Sequence, residues 1–312
     1  MATALYTHPA CLRHDNGPGH PESPQRLAAI LAELDKPDYA ALIRKEAPRA
    51  SLDQIARVHD HTYIESVFER VPEKGYAALD HETSLSPGSG EASLRAAGAI
   101  CAAIDDVIAG TIDNAFCAVR PPGHHAEHDH AMGFCIFNNI AIGAAHALAM
   151  HGLKRIAIVD FDVHHGNGTE EWASAHPEIL FFSSHQFPLW PGTGRAQDCG
   201  QHDNIVNIPL PPGTDGKRFL AIARDAILPK IDSFAPELIL ISAGFDAHRD
   251  DPLAQLAFDE GDFNGITKEL LTLAARHCRG RVVSTLEGGY DLAALAASAG
   301  AHVEALMSAA GK

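Results

Sequence analysis

Val159-Asp160-Phe161-Asp162-Val163-His164-His165-Gly166-Asn167-Gly168 follows directly on an apolar run, 155–160, and puts two carboxylates and an imidazole at alternating positions. In an extended chain successive side chains point to opposite faces, so Asp160, Asp162 and His164 are expected on one face, converging on a single cation. Gly166 and Gly168 are expected to let the backbone turn sharply behind them. An apolar strand that ends in such a cluster suits an open parallel sheet, because ligands bind outside the carboxyl ends of its strands.

The rest of the chain repeats the pattern. Short β-rich runs at 116–119, 179–183, 205–208, 238–242 and 282–286 alternate with helical patterns at 24–34, 91–109, 139–150, 216–231, 262–277 and 292–307. Strand then helix, repeated, predicts right-handed βαβ units and an α/β fold with a mainly parallel sheet covered on both faces. Without an internal repeat, low-complexity segment or long linker, residues 1–312 are expected to form a single domain. Polar residues gather at the strand ends: Arg120 to His125 after Val119, Asp246 after the 239–244 run, and Glu287 to Tyr290 after Leu286. Four strand ends thus deliver ionisable or hydrogen-bonding groups to one rim.

The 312 residues are 46% apolar, enough for a large core. The formal net charge of −16, from 24 basic and 40 acidic residues, weighs against nucleic acid. It fits a neutral or cationic partner, or simply a solvated acidic surface. Cys11, Cys101, Cys117, Cys135, Cys199 and Cys278 form no C-x-x-C pair and mostly lie in apolar contexts, so reduced, buried thiols are expected. The N-terminus lacks a basic start and apolar core, and no apolar run reaches the roughly 18 residues of a membrane span. A soluble cytoplasmic protein with no membrane partner is expected.

Asp162, His164 and Asp246 offer one nitrogen and two oxygen donors, which suits zinc with an open position for water. Iron(II), cobalt and manganese accept similar donors. Asp162 and His164 could instead form a hydrogen-bonded turn that merely ends a strand, the weaker reading already, and Asp246 after a separate strand favours the metal further. The tandem His124-His125 opens an imidazole-rich stretch with His128 and His130. It reads either as a metal-binding or merely polar surface loop or as bases that take a proton from water and return one to a leaving amine. Adjacent side chains diverge, so each ring needs its own partner, Asp160 for one and Asn167 for the other. Tyr290 is either a packing residue after two glycines or a phenol donating to a developing oxyanion.

Together these residues resemble the zinc-dependent histone deacetylase family, in the class II-like branch that holds bacterial histone deacetylase-like amidohydrolases and acetylpolyamine amidohydrolases. The likeness runs through Gly19-His-Pro-Glu-Ser-Pro-Gln-Arg26-Leu27, Val119-Arg-Pro-Pro-Gly-His-His-Ala-Glu127, Gly133-Phe-Cys-Ile-Phe-Asn138-Asn139 and the 159–168 run. It continues in Pro191-Gly-Thr-Gly194, Gly244-Phe-Asp-Ala-His248, Asp251-Pro-Leu253 and Leu286-Glu-Gly-Gly-Tyr290. The resemblance implies an arginase/deacetylase-type three-layer α/β/α fold and one catalytic zinc (Zn2+) on Asp162, His164 and Asp246. It also implies a structural potassium (K+) on backbone oxygens around Asp160, Asp162 and His164, with Ser183 and Ser184. His125 would be the principal base and acid, His124 an electrostatic aid paired with Asp160, and Tyr290 the group that polarises the scissile carbonyl.

Asn167 is the class II form of its position and Tyr290 the competent form of its own, so the resemblance implies an active hydrolase. Gly133, Phe134 and Trp190 match a narrow channel for the methylenes of a lysine-like chain. Leu253 stands at the channel mouth, where some polyamine-specific relatives carry a glutamate, and the 7–24 loop is short. The 80–89 segment is expected at the rim. The implied substrate is an acyl-lysine or other acylated amine, hydrolysed by metal-activated water, and homo-oligomers are compatible with the sequence. An acetylpolyamine or another small amide is the alternative. An arginase-like ureohydrolase, which would want two metals, and a non-catalytic acyl-lysine binder are more distant ones.

Overall fold

Runs such as 156–159 and 238–241 are apolar at every position, the composition of parallel strands covered on both faces, and both are buried throughout. In the computed structural model, which describes residues 2–310, eight strands form one sheet. Their order is β2 (Ile43–Glu46), β1 (Thr3–Thr7), β5 (Asn114–Cys117), β10 (Val282–Leu286), β9 (Leu238–Ala243), β6 (Ile156–Asp160), β7 (Ile179–Gln186) and β8 (Ile205–Leu210). Every pairing in this sheet is parallel. A separate small hairpin pairs β3 (Ala77–Ala78) with β4 (Ser84–Leu85).

One helical layer consists of α4 (Ser89–Ala109), α5 (Asn139–His151) and α6 (Asn167–Ser174), with α2 (Leu52–Ile55) against α5. Tyr63, Ile64 and Val67 of α3 (His61–Arg70) join a small apolar cluster with Ala97, Cys101 and Ile142 of that layer. The other layer holds α1 (Pro24–Leu34), α7 (Gly216–Ile222), α8 (Leu228–Phe234), α9 (Glu260–His277) and α10 (Leu292–Ala309). This is the arginase/deacetylase α/β architecture. From β6 the chain steps outward through β7 and β8, whereas β9 and β10 step the other way, so the order switches between β6 and β9. A crevice outside the strand ends is expected at that switch.

Three departures from the sequence reading have physical causes. The helix expected over 216–231 is divided by a π-helical turn at Ala223–Ile227, just before Pro229, which has no N–H to bond the fourth carbonyl back. β1 and β2 were not expected, although β1 pairs on both edges; five residues with no turn signal before them give little periodicity to read. Contrary to expectation, α10 has the length and composition of a membrane span, with mean hydropathy 1.3, but it packs on α1 and α9 and buries Leu295, Ala299, Val303 and Leu306 in the core. All six cysteines are free thiols, and Cys199 is the exposed one.

Candidate active site

β6 ends at Asp160, and the chain bends at once, so Asp160, Asp162 and His164 do not share a strand face. Asp160 Oδ1 accepts the Asp162 N–H at 3.0 Å, and Asp162 Oδ1 accepts the His164 N–H at 2.9 Å. Side chains that bond the backbone two residues on replace the alternation of a strand with two successive turns. Asp160 is thereby turned away, and its Oδ2 accepts from His124 Nδ1 at 2.9 Å. Gly166 and Gly168 are required by space, not by a left-handed backbone. A Cβ would lie 2.3 Å from Asp160 Oδ2 at Gly166 and 2.1 Å from the Ala126 carbonyl at Gly168.

Asp162, His164 and Asp246 do converge, with one donor atom from each lying within 4.8 Å of the others. His164 Nδ1 stands 3.2 Å from Asp162 Oδ1 and 3.1 Å from Asp246 Oδ2. Backbone donors aim both carboxylates: Gly288 N–H bonds Asp162 Oδ2 and Val163 N–H bonds Asp246 Oδ1, each at 2.8 Å. Both carboxylates are buried. Burial, then the neighbouring Asp162 charge, pushes the Asp246 carboxyl up to about 7. Burial opposes the charge on His164, but bonds to Asp162 and Asp246 raise it to about 10. A buried nitrogen and two oxygens with this excess of negative charge fit a divalent cation, which would take the place of those protons.

The two adjacent imidazoles have rings 3.9 Å apart but opposite environments. His124 is buried, yet Asp160 and Asp162 outweigh desolvation and hold it well above the ordinary imidazole range. Burial, then the charges of His124 and His164, holds His125 well below that range. Asn167 fixes the His125 tautomer: its Nδ2 donates to Glu127 Oε1 at 2.7 Å, so its Oδ1 accepts from His125 Nδ1 at 2.8 Å. The free lone pair of His125 is then on Nε2. Glu287 Oε2 secures the loop by accepting the N–H groups of Gly123 at 2.7 Å and His124 at 3.1 Å. His128 and His130 are not gathered in; their exposed rings bond Glu171 and Asp129.

Aromatic rings flank these groups. Trp190 lies 4.7 Å from the His125 ring and 6.0 Å from His164, and Phe134 lies 6.0 Å from Tyr290. Gly133 is forced by crowding, since a Cβ would meet Trp190 at 2.4 Å and His125 at 2.6 Å. Leu253 is half-buried on a turn where Asp251 Oδ1 accepts its N–H at 3.0 Å and Asp251 Oδ2 accepts that of Tyr290 at 2.7 Å. Ser184 Oγ donates to the Asp160 carbonyl at 3.3 Å, whereas Ser183 Oγ faces His185 Nδ1 at 3.0 Å.

Sequence reasoning missed the ionic support beneath Tyr290. Fully buried Arg26 donates to the carbonyls of Gly289 at 2.6 Å and Glu287 at 2.5 Å, and lies 4.9 Å from the Tyr290 ring. Glu22 joins Arg26 Nη1 at 3.1 Å to Arg120 Nη2 at 2.7 Å. The one signal was a glutamate and an arginine four apart at a helix start. Burial opposes the Glu22 charge, but Arg120 and His14 hold it well below its usual 4.5. Glu22→Gln is expected to cost about 3–5 kcal/mol in urea unfolding at pH 7, because two buried guanidiniums lose their anion. A folded value below the unfolded one means that the Glu22 contribution is complete above the unfolded value and fades as pH falls through the folded one. The wild type should therefore lose its advantage over the variant in acid.

Residues 20–306 match the model of the histone deacetylase domain. The chain belongs to the histone deacetylase family. It is 37% identical to the histone deacetylase-like amidohydrolase of Pseudomonas aeruginosa, over 93% of this chain and 82% of that one. Identity is also 37% to a probable deacetylase of Archaeoglobus fulgidus, over 94% of this chain and 82% of the relative. The crystal structure of the HD domain of HDA15 superposes with a TM-score of 0.93 at 34% identity, covering 98% of this chain and 88% of that one. A histone-deacetylase-family protein is a hydrolase of amide bonds, and the carboxyl ends of the strands are where this chain gathers groups suited to that chemistry.

Proposed function

We propose that the protein hydrolyses the acyl amide of acyl-lysine, or of a similarly linear acylated amine, with one zinc ion held by Asp162, His164 and Asp246. Bound there, zinc would supply Lewis acidity and lower the pKa of water. The observation that carries this reading is the buried nitrogen and two oxygens beside a neutral imidazole with its Nε2 lone pair free. His125 takes the proton of the attacking water at Nε2 and later returns one to the leaving amine. His124, paired with Asp160, keeps positive charge beside the reacting carbonyl. The Tyr290 hydroxyl, kept protonated by burial although Arg26 pulls the other way, donates to the carbonyl oxygen as it gains charge.

Phe134 and Trp190 pack the methylenes of the substrate chain over Gly133. Leu253 offers no charge to a distant ammonium, which favours acyl-lysine over acetylpolyamines. The carbonyl of Asp160, with those of Asp162, His164, Ser183 and Ser184, is the proposed cradle for potassium. Metal analysis tests the ligand set. The wild type should hold one zinc per chain and lose acyl release on chelation, and Asp162→Ala should be isolated without metal. Full zinc in Asp162→Ala would refute the assignment, and two divalent transition-metal ions per chain would favour a ureohydrolase.

A further inference from the structure

The turn that carries Phe134 is held by two segments distant in sequence, around His20 and Thr83. Met132 and Cys135 exchange both backbone bonds, Cys135 N–H to Met132 O at 2.9 Å and Met132 N–H to Cys135 O at 3.2 Å. Between them Gly133 has φ +55° and Phe134 φ +69°. Two central residues with positive φ are the signature of a type I′ turn, which favours glycine and asparagine. A phenylalanine there is strained and persists only where its surroundings over-determine it.

Those surroundings run through residues 80–83. The Phe134 N–H, unused by the turn, donates to Thr83 Oγ1 at 3.0 Å, and Thr83 is fully buried. His20 packs edge-on against the Phe134 ring at 4.6 Å and places Nε2 3.1 Å from the Glu82 carbonyl. Its Nδ1 stands 3.1 Å from the Glu22 nitrogen and 3.2 Å from the Glu22 carbonyl, and because the Glu82 oxygen can only accept, the bond at Nε2 needs the proton there. Asp80 Oδ1 in turn accepts the N–H groups of Glu82 at 2.7 Å and Thr83 at 2.5 Å, locking the segment that supplies both supports.

We infer that Thr83 is the positioning residue for the Phe134 wall, holding its strained turn through one hydroxyl acceptor. The inference rests on reading Phe134 as a wall of the acyl-lysine channel. Thr83→Val keeps the branched shape and removes the acceptor. KM for an acetyl-lysine peptide should rise about tenfold while kcat stays within about twofold, because a turn without its acceptor relaxes and binding must restore the wall. Thr83→Ser restores the acceptor and should restore KM. Equal KM in the wild type and Thr83→Val, or a serine variant as impaired as the valine one, would overturn the inference.

A second readout needs no activity. With 4-fluorophenylalanine at position 134, the fluorine resonance should move in Thr83→Val and not in Thr83→Ser; no movement in Thr83→Val overturns the inference. A wild type inert on every acyl-lysine peptide but showing that movement would contradict the proposed function and still support the role of Thr83. Should the valine variant fail to fold, Thr83→Ala carries the same comparison.

Discussion

His125→Ala is expected to lower kcat for acyl-lysine hydrolysis by about 10²–10⁴-fold, the range for removing a positioned general base. Its ring is the one imidazole of the tandem that burial and the neighbouring His124 and His164 charges hold neutral. Asn167 and Glu127 together set the proton on Nδ1, so Nε2 alone is left to accept one. His124 cannot substitute, because Asp160 and Asp162 hold it in the charged form against the cost of burial. Steady-state kinetics on an acetyl-lysine peptide, with zinc content measured alongside, reads the effect. A variant with normal zinc and near-normal kcat would remove His125 from the mechanism.

Tyr290→Phe is expected to cost about 10²–10³-fold in kcat, as loss of one oxyanion donor does. The phenol acts only as charge develops on the carbonyl oxygen, so KM should change little. Arg26 holds the backbone on either side of Gly288 and packs on the ring, and Asp251 holds the Tyr290 N–H. The phenylalanine ring therefore keeps its place, and the loss isolates the hydroxyl. A raised KM with unchanged kcat would instead make Tyr290 a substrate-binding residue.

The architecture was legible because buried parallel strands are apolar at every position, as at 238–241, and because ionisable residues follow those strands at 120–125, 160–164, 246 and 287–290. Which of them would face one another was less so. Alternation placed Asp160 with Asp162 and His164, but an aspartate that bonds the N–H two residues on ends the strand geometry on which alternation depends. The glycines of the same run look like turn formers, whereas atoms from Asp160 and Ala126, distant or hidden in the sequence, exclude their side chains. Thr83, Glu22 and Arg120 act across tens of residues of chain, and no local spacing announces a partner of that kind. β1 escaped for another reason, since its neighbours in the sheet supply the context that five residues lack.

The most direct test incubates the purified zinc-loaded protein with an acetyl-lysine peptide and quantifies acetate and free lysine side chain together. Equimolar release of both is expected, abolished by chelation and restored by zinc. Binding of the peptide with no acetate released would contradict that reading and leave a pocket that holds acyl-lysine without hydrolysing it.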